Sequence, residues 1–196
     1  MQLSSGKIQY FDYKDTRDVT YRVGALLVDA SPETIWGILE DVEKLGKALN
    51  HIEYYRIRHD NEAGNRWRKG KKVVEGKFSI RDYPAQFTLS MEFNQTGKWR
   101  RWQLLSPQEV VSFNEKGIKV LPPSGLIKDM AGFEFVQPFE DGGKAVYYNA
   151  MNIKSTIPLP EFIHSAIFDA VYTRQMTLIK KMAESYAQEH DVEAHE

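Results

Sequence analysis

The sequence contains no cysteine among its 196 residues. Disulfides, thiolate catalysis and cysteine-ligated zinc are therefore excluded. No apolar run approaches the roughly 18 residues that a membrane-spanning helix requires, and residues 1–10 lack the basic and then apolar pattern of a signal peptide. These absences lead us to expect a protein of the cytoplasm.

Motifs for metal, nucleotide and nucleophile sites are missing as well. The five histidines have neither the H-x-H nor the H-E-x-x-H spacing that would hold zinc. The sequence has no G-x-S-x-G motif, no Walker A loop and no G-x-G-x-x-G fingerprint, which excludes the commonest hydrolase, nucleoside triphosphatase and dinucleotide-binding classes. We therefore expect neither a metal ion nor a cofactor.

Neither sign of charge dominates, because 26 basic residues face 27 acidic ones and the formal net charge is −1. This balance argues against a polyanion as the main partner but allows a local basic patch. Residues 66–72 and 98–102 interleave basic and aromatic side chains. Basic side chains in such a pattern can bind phosphates while the aromatic rings stack on bases. The same pattern also suits the solvated outer face of a sheet. Binding of nucleic acid or the ribosome is therefore the less favoured interpretation.

Hydrophobic residues are plentiful at 42%, and aromatic residues make up 12%. The composition is that of a globular protein, and so many rings need either a large core or a cavity to line. The length suits one domain. We expect that domain at residues 20–188, after an irregular lead-in at residues 1–19 and before a disordered tail at residues 189–196.

Local patterns predict one strand, two short helices, several more strands and a long final helix. Residues 20–28 are rich in strand formers, and Ser31 followed by Pro32 is typical of a helix start. Turn signals then separate strand-like runs at residues 51–59, 66–80, 85–93, 99–105, 110–114, 130–139 and 144–156. Short connections favour antiparallel pairing. The uninterrupted helical pattern of residues 161–188 is long enough to cover one face of such a sheet.

Three segments resemble a known family. The first is Val28–Trp36 with Leu39–Asp41, the second is Ala131–Pro138 with Asp141–Tyr148, and the third is Ile157–Pro160 opening the last helix. In order and spacing they resemble the SRPBCC or START-like superfamily, in particular its bacterial polyketide cyclase/dehydrase and lipid-transport branch. The resemblance covers roughly residues 20–188. The long segment from Phe93 to Asn114 departs from it.

The resemblance implies an α+β helix-grip fold. In that fold a curved antiparallel sheet wraps around a long C-terminal helix, with two short helices after the first strand, and leaves an apolar cavity between sheet and helix. The family includes lipid-transfer proteins, coenzyme-Q-binding proteins, plant ligand binders, cofactor-free aromatase/cyclases and ribosome-directed toxins. The shared fold does not settle which of these functions applies.

Aromatic side chains are the main candidates for lining the cavity. Side chains alternate between the two faces of a strand, so Phe133 and Phe135 share one face, whereas Tyr147 and Tyr148 point to opposite faces. The sequence leaves open which set points inward, and a role in the ordinary core stays an alternative for each ring. The pocket candidates are Trp67, Phe87, Phe133, Phe135, Tyr148, Phe162, Tyr172 and Arg174.

Arg174 is the polar member of this set. It falls within a helical stripe formed by Ile163, Ile167, Ala170 and Leu178, so we expect it to lean toward the cavity. A guanidinium there is costly unless it is paired or hydrated, and it could hold a carboxylate, carbonyl or phosphate of a ligand. Alternatively, its stem packs while its head reaches solvent at the rim, or it pairs with Glu134 or Glu92.

The segment from Gly117 to Ile127 is a loop with several apolar residues. Either it acts at the mouth of the cavity, as a lid or as a patch that touches membrane while ligand is exchanged, or it folds back and packs. The lid candidates are Ile118, Val120, Leu121, Leu126 and Ile127.

The favoured function is binding, and possible transport, of a lipid, isoprenoid, quinone or polyketide in the cavity, because no catalytic constellation is found. The first alternative is a cofactor-free aromatase/cyclase, in which Arg174 with Tyr148 or Tyr172 would polarise a carbonyl or move protons. The second alternative is a surface that binds nucleic acid or the ribosome.

Overall fold

A computed structural model describes residues 6–49, 52–58, 71–80, 83–125, 127–156, 158 and 161–193, without the side chains of 79, 80, 83, 161–171 and 190–193. Within these residues the chain forms nine strands and four helices. The strands are β1 (Gln9–Lys14), β2 (Thr20–Val28), β3 (Ile52–Ile57), β4 (Lys71–Ile80), β5 (Tyr83–Asn94), β6 (Trp99–Leu104), β7 (Ser124–Gly125), β8 (Ile127–Phe139) and β9 (Lys144–Ser155). The helices are α1 (Pro32–Glu40), α2 (Val42–Ala48), α3 (Pro107–Glu115) and α4 (Glu161–Glu193).

The strands form one antiparallel sheet in the order β1-β2-β9-β8-β6-β5-β4-β3, and β7 pairs with β5. Helices α1 and α2 carry the chain from β2 to β3 at the far edge of the sheet. Ser31 caps α1 by accepting a hydrogen bond from the Thr34 backbone N–H, with Pro32 in the first turn. The predicted α+β helix-grip architecture is confirmed.

The sheet has an inner face toward α4 and an outer face on the opposite side. Along β8, Met130, Glu134 and Val136 point inward, whereas Phe133 joins a cluster on the outer face. On α4 the residues buried against the inner face recur at helical spacing. They are Tyr172, Met176, Ile179 and Ala183.

Three predictions about secondary structure differ from what the structure shows. The lead-in is not irregular throughout, because residues 9–14 form β1 and pair with β2. The helical backbone of α4 continues through Glu193, so the expected disorder from residue 189 is not found there, and residues 194–196 lie outside the described part. Residues 110–114 belong to a helix and not to a strand.

That helix, α3, begins with a capping box. Ser106 accepts from the Glu109 backbone N–H, and the Glu109 carboxylate accepts from the Ser106 backbone N–H in return. Val110 then packs on the outer face of the sheet, in a small apolar cluster separate from the main core. The cluster consists of Val73, Leu105, Val110, Ile118 and Val120.

Candidate functional site

The inner face of the sheet is apolar, and aromatic rings cluster at its β3–β5 end. The Phe87 ring centroid lies 6.0 Å from that of Tyr55 and 5.8 Å from that of Phe78. The Tyr55 hydroxyl donates to the Met91 sulfur over 3.6 Å. These side chains continue the main core, which also holds much of the chain's methionine. The core methionines are Met91, Met130, Met151 and Met176, with Met182 packed against them.

Two glycines of the sheet leave room for aromatic rings to approach the backbone closely. A Cβ at Gly76 would collide with the Phe87 ring, and a Cβ at Gly132 would collide with the Trp102 indole and with the Ala150 carbonyl oxygen. Glycine is therefore required at Gly132 for close approach and not for an unusual backbone angle. Gly76 and Gly132 therefore give the Phe87 and Trp102 rings space that any other residue would fill.

A buried ion pair lies in the middle of this apolar face. Arg100 on β6 and Glu134 on β8 are directly opposite in register, and their side chains are 2% and 1% exposed. The Arg100 Nε donates to Glu134, and its Nη1 donates to the Leu39 carbonyl oxygen in the last turn of α1. Arg100 thereby satisfies a carbonyl that the helix end leaves free, at the negative end of the helix dipole.

Neighbouring hydroxyl groups complete this polar cluster. The Tyr147 hydroxyl donates to the second oxygen of Glu134, and the Asn149 side-chain amide donates to the Tyr147 oxygen over 3.3 Å. The Tyr172 hydroxyl, from α4, donates to the Asn149 backbone carbonyl. The carboxylate is therefore held by one cation and one hydroxyl, which compensates its burial.

Burial controls ionisation in the cluster. It raises the pKa of Tyr147 well above its ordinary value, and the adjacent Glu134 carboxylate raises it further. Burial likewise raises the pKa of Tyr172, and it raises the pKa of Tyr55 to about 12. Burial opposes the charge on Arg100, but Glu134 more than compensates, so the pKa of Arg100 is raised. The three hydroxyls therefore stay protonated at neutral pH and act as donors.

The structure divides the predicted pocket residues between the two faces. Phe87 and Tyr172 lie in the core on the inner side. Phe133 and Tyr148 belong to an outer-face cluster, and Phe135 stacks on Tyr148 at a centroid distance of 5.9 Å. These three rings therefore do not face α4. Trp67 and the Phe162 side chain lie outside the described residues.

Arg174 does not lean toward the sheet. It is exposed on α4, two residues from the buried Tyr172 and two from the buried Met176. The buried stripe of the described half of the helix runs through positions 172, 176, 179 and 183, which turns residue 174 to the solvent side. The exposed position of Arg174 agrees with the alternative in which its head reaches solvent, and its role as a ligand anchor stays a prediction. The arginine that the structure places on the inner face is Arg100.

The lid segment folds back and packs, which is the second of the two arrangements considered. Ile118 and Val120 are buried beside α3 on the outer face, and the Thr88 hydroxyl donates to the Leu121 carbonyl over 2.8 Å. Leu121 itself is 42% exposed. Ile127 begins β8 and lies in the main core, while Leu126 lies outside the described residues.

Sequence reasoning missed Arg100 and Tyr147 as site residues and considered Glu134 only as a partner for Arg174. One signal was available. Arg100 and Trp102 lie on one face of their strand, and Trp99 and Arg101 lie on the other. Each face carries one basic and one aromatic residue, so one of the two sets had to point into the core. The predicted cavity between the sheet and the last helix stays a prediction, and the side chains of residues 161–171 of that helix lie outside the described part.

Comparisons with known proteins identify the fold. No family model matches the chain, and no curated protein matches it. Among solved structures, the ZhuI aromatase/cyclase from Streptomyces sp. R1128 superposes with a TM-score of 0.59 at 11% identity, over 93% of this chain and 94% of that one. A START superfamily protein from Mycobacterium smegmatis gives 0.57 at 12% identity, over 85% and 96%.

A di-domain aromatase/cyclase of the steffimycin biosynthetic pathway matches as well. Its TM-score is 0.56 at 9% identity, over 86% of this chain and 47% of the longer one. The chain therefore has the START-like helix-grip fold, as the sequence resemblance predicted. Within the described residues, no helix combines the length and the apolar character needed to cross a membrane.

Proposed function

We propose that this protein binds a hydrophobic small molecule, a lipid, isoprenoid, quinone or polyketide, between the inner face of the sheet and the N-terminal half of α4. The observation that carries the proposal is the inner face itself. It combines aromatic rings with methionines around one polar cluster. Ligand sites in proteins have this composition, mostly apolar walls with a few polar groups.

The methionines favour an adaptable site. Their unbranched side chains have three rotatable bonds and a polarisable sulfur, so they fit apolar partners of different shape. Met130 on β8 is directly opposite Ile153 on β9, and both lie on the inner face near the end of β9, from which the chain passes to the start of α4. This part of the face is where a ligand would meet the helix.

The polar cluster is compatible with an apolar neighbour because its charges compensate each other. Arg100 is engaged by Glu134 and by the Leu39 carbonyl, and Glu134 is engaged by Arg100 and Tyr147. A ligand next to the cluster would therefore face a net neutral group whose donors are largely used.

Binding is favoured over the cyclase alternative by the positions of the residues proposed for that chemistry. Arg174 is exposed, Tyr148 lies on the outer face, and the Tyr172 hydroxyl is bonded to the backbone. The three groups do not converge on one point where they could polarise a carbonyl and transfer its proton.

The test uses N-phenyl-1-naphthylamine, an uncharged apolar probe that fluoresces when it leaves water. We expect saturable binding that oleate, farnesol, decylubiquinone or an aromatic polyketide displaces. Ile153→Trp adds a large ring to the inner face at the start of α4 and is expected to weaken probe binding at least tenfold. The matched control is Lys154→Trp, which places the same ring on the exposed side of the same strand.

The stabilities of the two variants complete the test. A ring that occupies a ligand cavity leaves the melting temperature close to that of the wild type, whereas a ring forced into a filled core costs about 1–3 kcal/mol. Equal probe binding by wild type, Ile153→Trp and Lys154→Trp would refute the proposed site.

A further inference from the structure

The outer face of the sheet holds a second concave site, distinct from the inner face. A groove of about 540 Å³ crosses β8, β6, β5 and β4, and the β1–β2 hairpin forms one of its ends. Its volume lies within the range of small-molecule sites. The floor is formed by the short or uncharged side chains Ser90, Gln103 and Ala131.

One end of the groove is aromatic. Phe133 contacts two rings of the hairpin, Tyr13 at 6.2 Å edge-to-face and Tyr21 at 5.9 Å between centroids. Tyr21 is buried, whereas Tyr13 is 45% exposed and Trp99 is half-buried beside them. The outer face of an antiparallel sheet is usually polar where it meets water, so a cluster of rings here is unusual and offers ring edges and faces to a planar partner.

The other end of the groove is charged, and among the described residues one of the groove's cations has no ion-pair partner. Arg101 pairs with Glu92 at 2.6 Å, and Arg17 pairs with Asp15 at 2.8 Å in the β1–β2 turn, at the aromatic end. Lys71 also lines the groove and forms no ion pair anywhere in the described part of the chain. The lining therefore carries three cations against two carboxylates, an excess of one positive charge at the Lys71 end.

A row of directly paired residues connects the charged end of the groove to its aromatic end. Lys71, Glu92, Arg101 and Phe133 are successive partners across β4, β5, β6 and β8. With strands about 4.8 Å apart, the Lys71 and Phe133 backbones are separated by roughly 14 Å. Directly paired residues point to the same face of a sheet, so the Lys71 side chain and the Phe133 ring lie on one face at the two ends of this row.

We propose that this groove binds a planar aromatic molecule that carries a single anionic group. The rings would contact Phe133 and Trp99, and the anion would lie at Lys71, on the far side of the Arg101–Glu92 pair. A single-stranded nucleic acid fits less well, because its phosphates require a series of unpaired cations and the two carboxylates neutralise two of the three present.

The test compares two probes that differ by one group. The probe 8-anilinonaphthalene-1-sulfonate is N-phenyl-1-naphthylamine with a sulfonate added. We expect Lys71→Met to weaken binding of the sulfonate probe roughly tenfold, through loss of a charge-assisted contact, and to leave the uncharged probe unaffected. The control Lys181→Met removes an exposed lysine from α4, on the other side of the sheet, and should change neither affinity.

The Ile153→Trp background separates this proposal from the previous one. If the inner site is real, that variant loses the uncharged probe but keeps a Lys71-dependent site for the sulfonate probe, whose affinity falls as salt is added. Sulfonate binding that is insensitive to Lys71→Met in both backgrounds overturns the outer site. Neither result depends on whether the inner site binds a ligand.

Discussion

Two neighbouring residues of β6 have the same chemistry and opposite surroundings. Arg100 points to the inner face and pairs with Glu134, with both side chains almost fully buried, at 2% and 1% exposure. Arg101 points to the outer face and pairs with Glu92, at 65% and 31% exposure. Strand alternation alone places one arginine in the core and the other at the edge of a solvent groove.

The difference shows what each pair can do. The inner pair is out of water, so neither partner can be left alone without a large cost, and the pair joins the sheet to the end of α1. The outer pair is hydrated and contributes little to stability. Its arginine can therefore reorient toward a ligand at small cost, whereas the inner arginine is a fixed structural element.

The largest expected effect comes from breaking the inner pair. Arg100→Met leaves Glu134 buried with only the Tyr147 hydroxyl, and we expect the free energy of unfolding to fall by about 3–5 kcal/mol. The outer counterpart, Arg101→Met, should cost about 1 kcal/mol or less. Urea unfolding followed by circular dichroism measures both. Similar losses in the two variants would show that the two faces do not differ as described.

Substitutions at two glycines, one packed against the core and one in open space, are expected to show the same contrast with smaller effects. Gly132→Ala would bring a methyl group into the Trp102 indole and the Ala150 carbonyl, and we expect it to cost about 1–3 kcal/mol. Gly37→Ala in α1 meets open space, so we expect it to stabilise the protein by about 0.4–1 kcal/mol. Thermal unfolding of the two variants should therefore shift in opposite directions. A tolerated Gly132→Ala would mean that the inner face has room beneath Trp102.

The sequence was sufficient to predict the architecture because its strongest signals are local. The strand at Thr20–Val28 and the start of α1 at Ser31 and Pro32 were found at the observed residues. The long final helix was found as well, although its end was placed too early. The strand assigned to residues 110–114 was wrong because valines there suggested a strand, while the Ser106 and Glu109 capping box that begins α3 was overlooked.

The candidate site was predicted less well, since it depends on which face of each strand is covered. Period-two alternation pairs Phe133 with Phe135, but it cannot tell which face α4 covers. Arg174 was placed on the wrong side because the stripe was read from the first half of α4, whereas its described second half buries Tyr172 and Met176. The groove on the outer face depends on residues far apart in sequence, such as Tyr13 and Phe133, which no local pattern brings together.

Native mass spectrometry shows whether the inner face holds a hydrophobic ligand, as we propose. The protein is purified from cells without organic solvent, and its mass is compared before and after solvent extraction. We expect one hydrophobic molecule bound per chain in the wild type and in Lys154→Trp, and none in Ile153→Trp. The bare polypeptide mass in the wild type, together with no binding of N-phenyl-1-naphthylamine, would contradict the account.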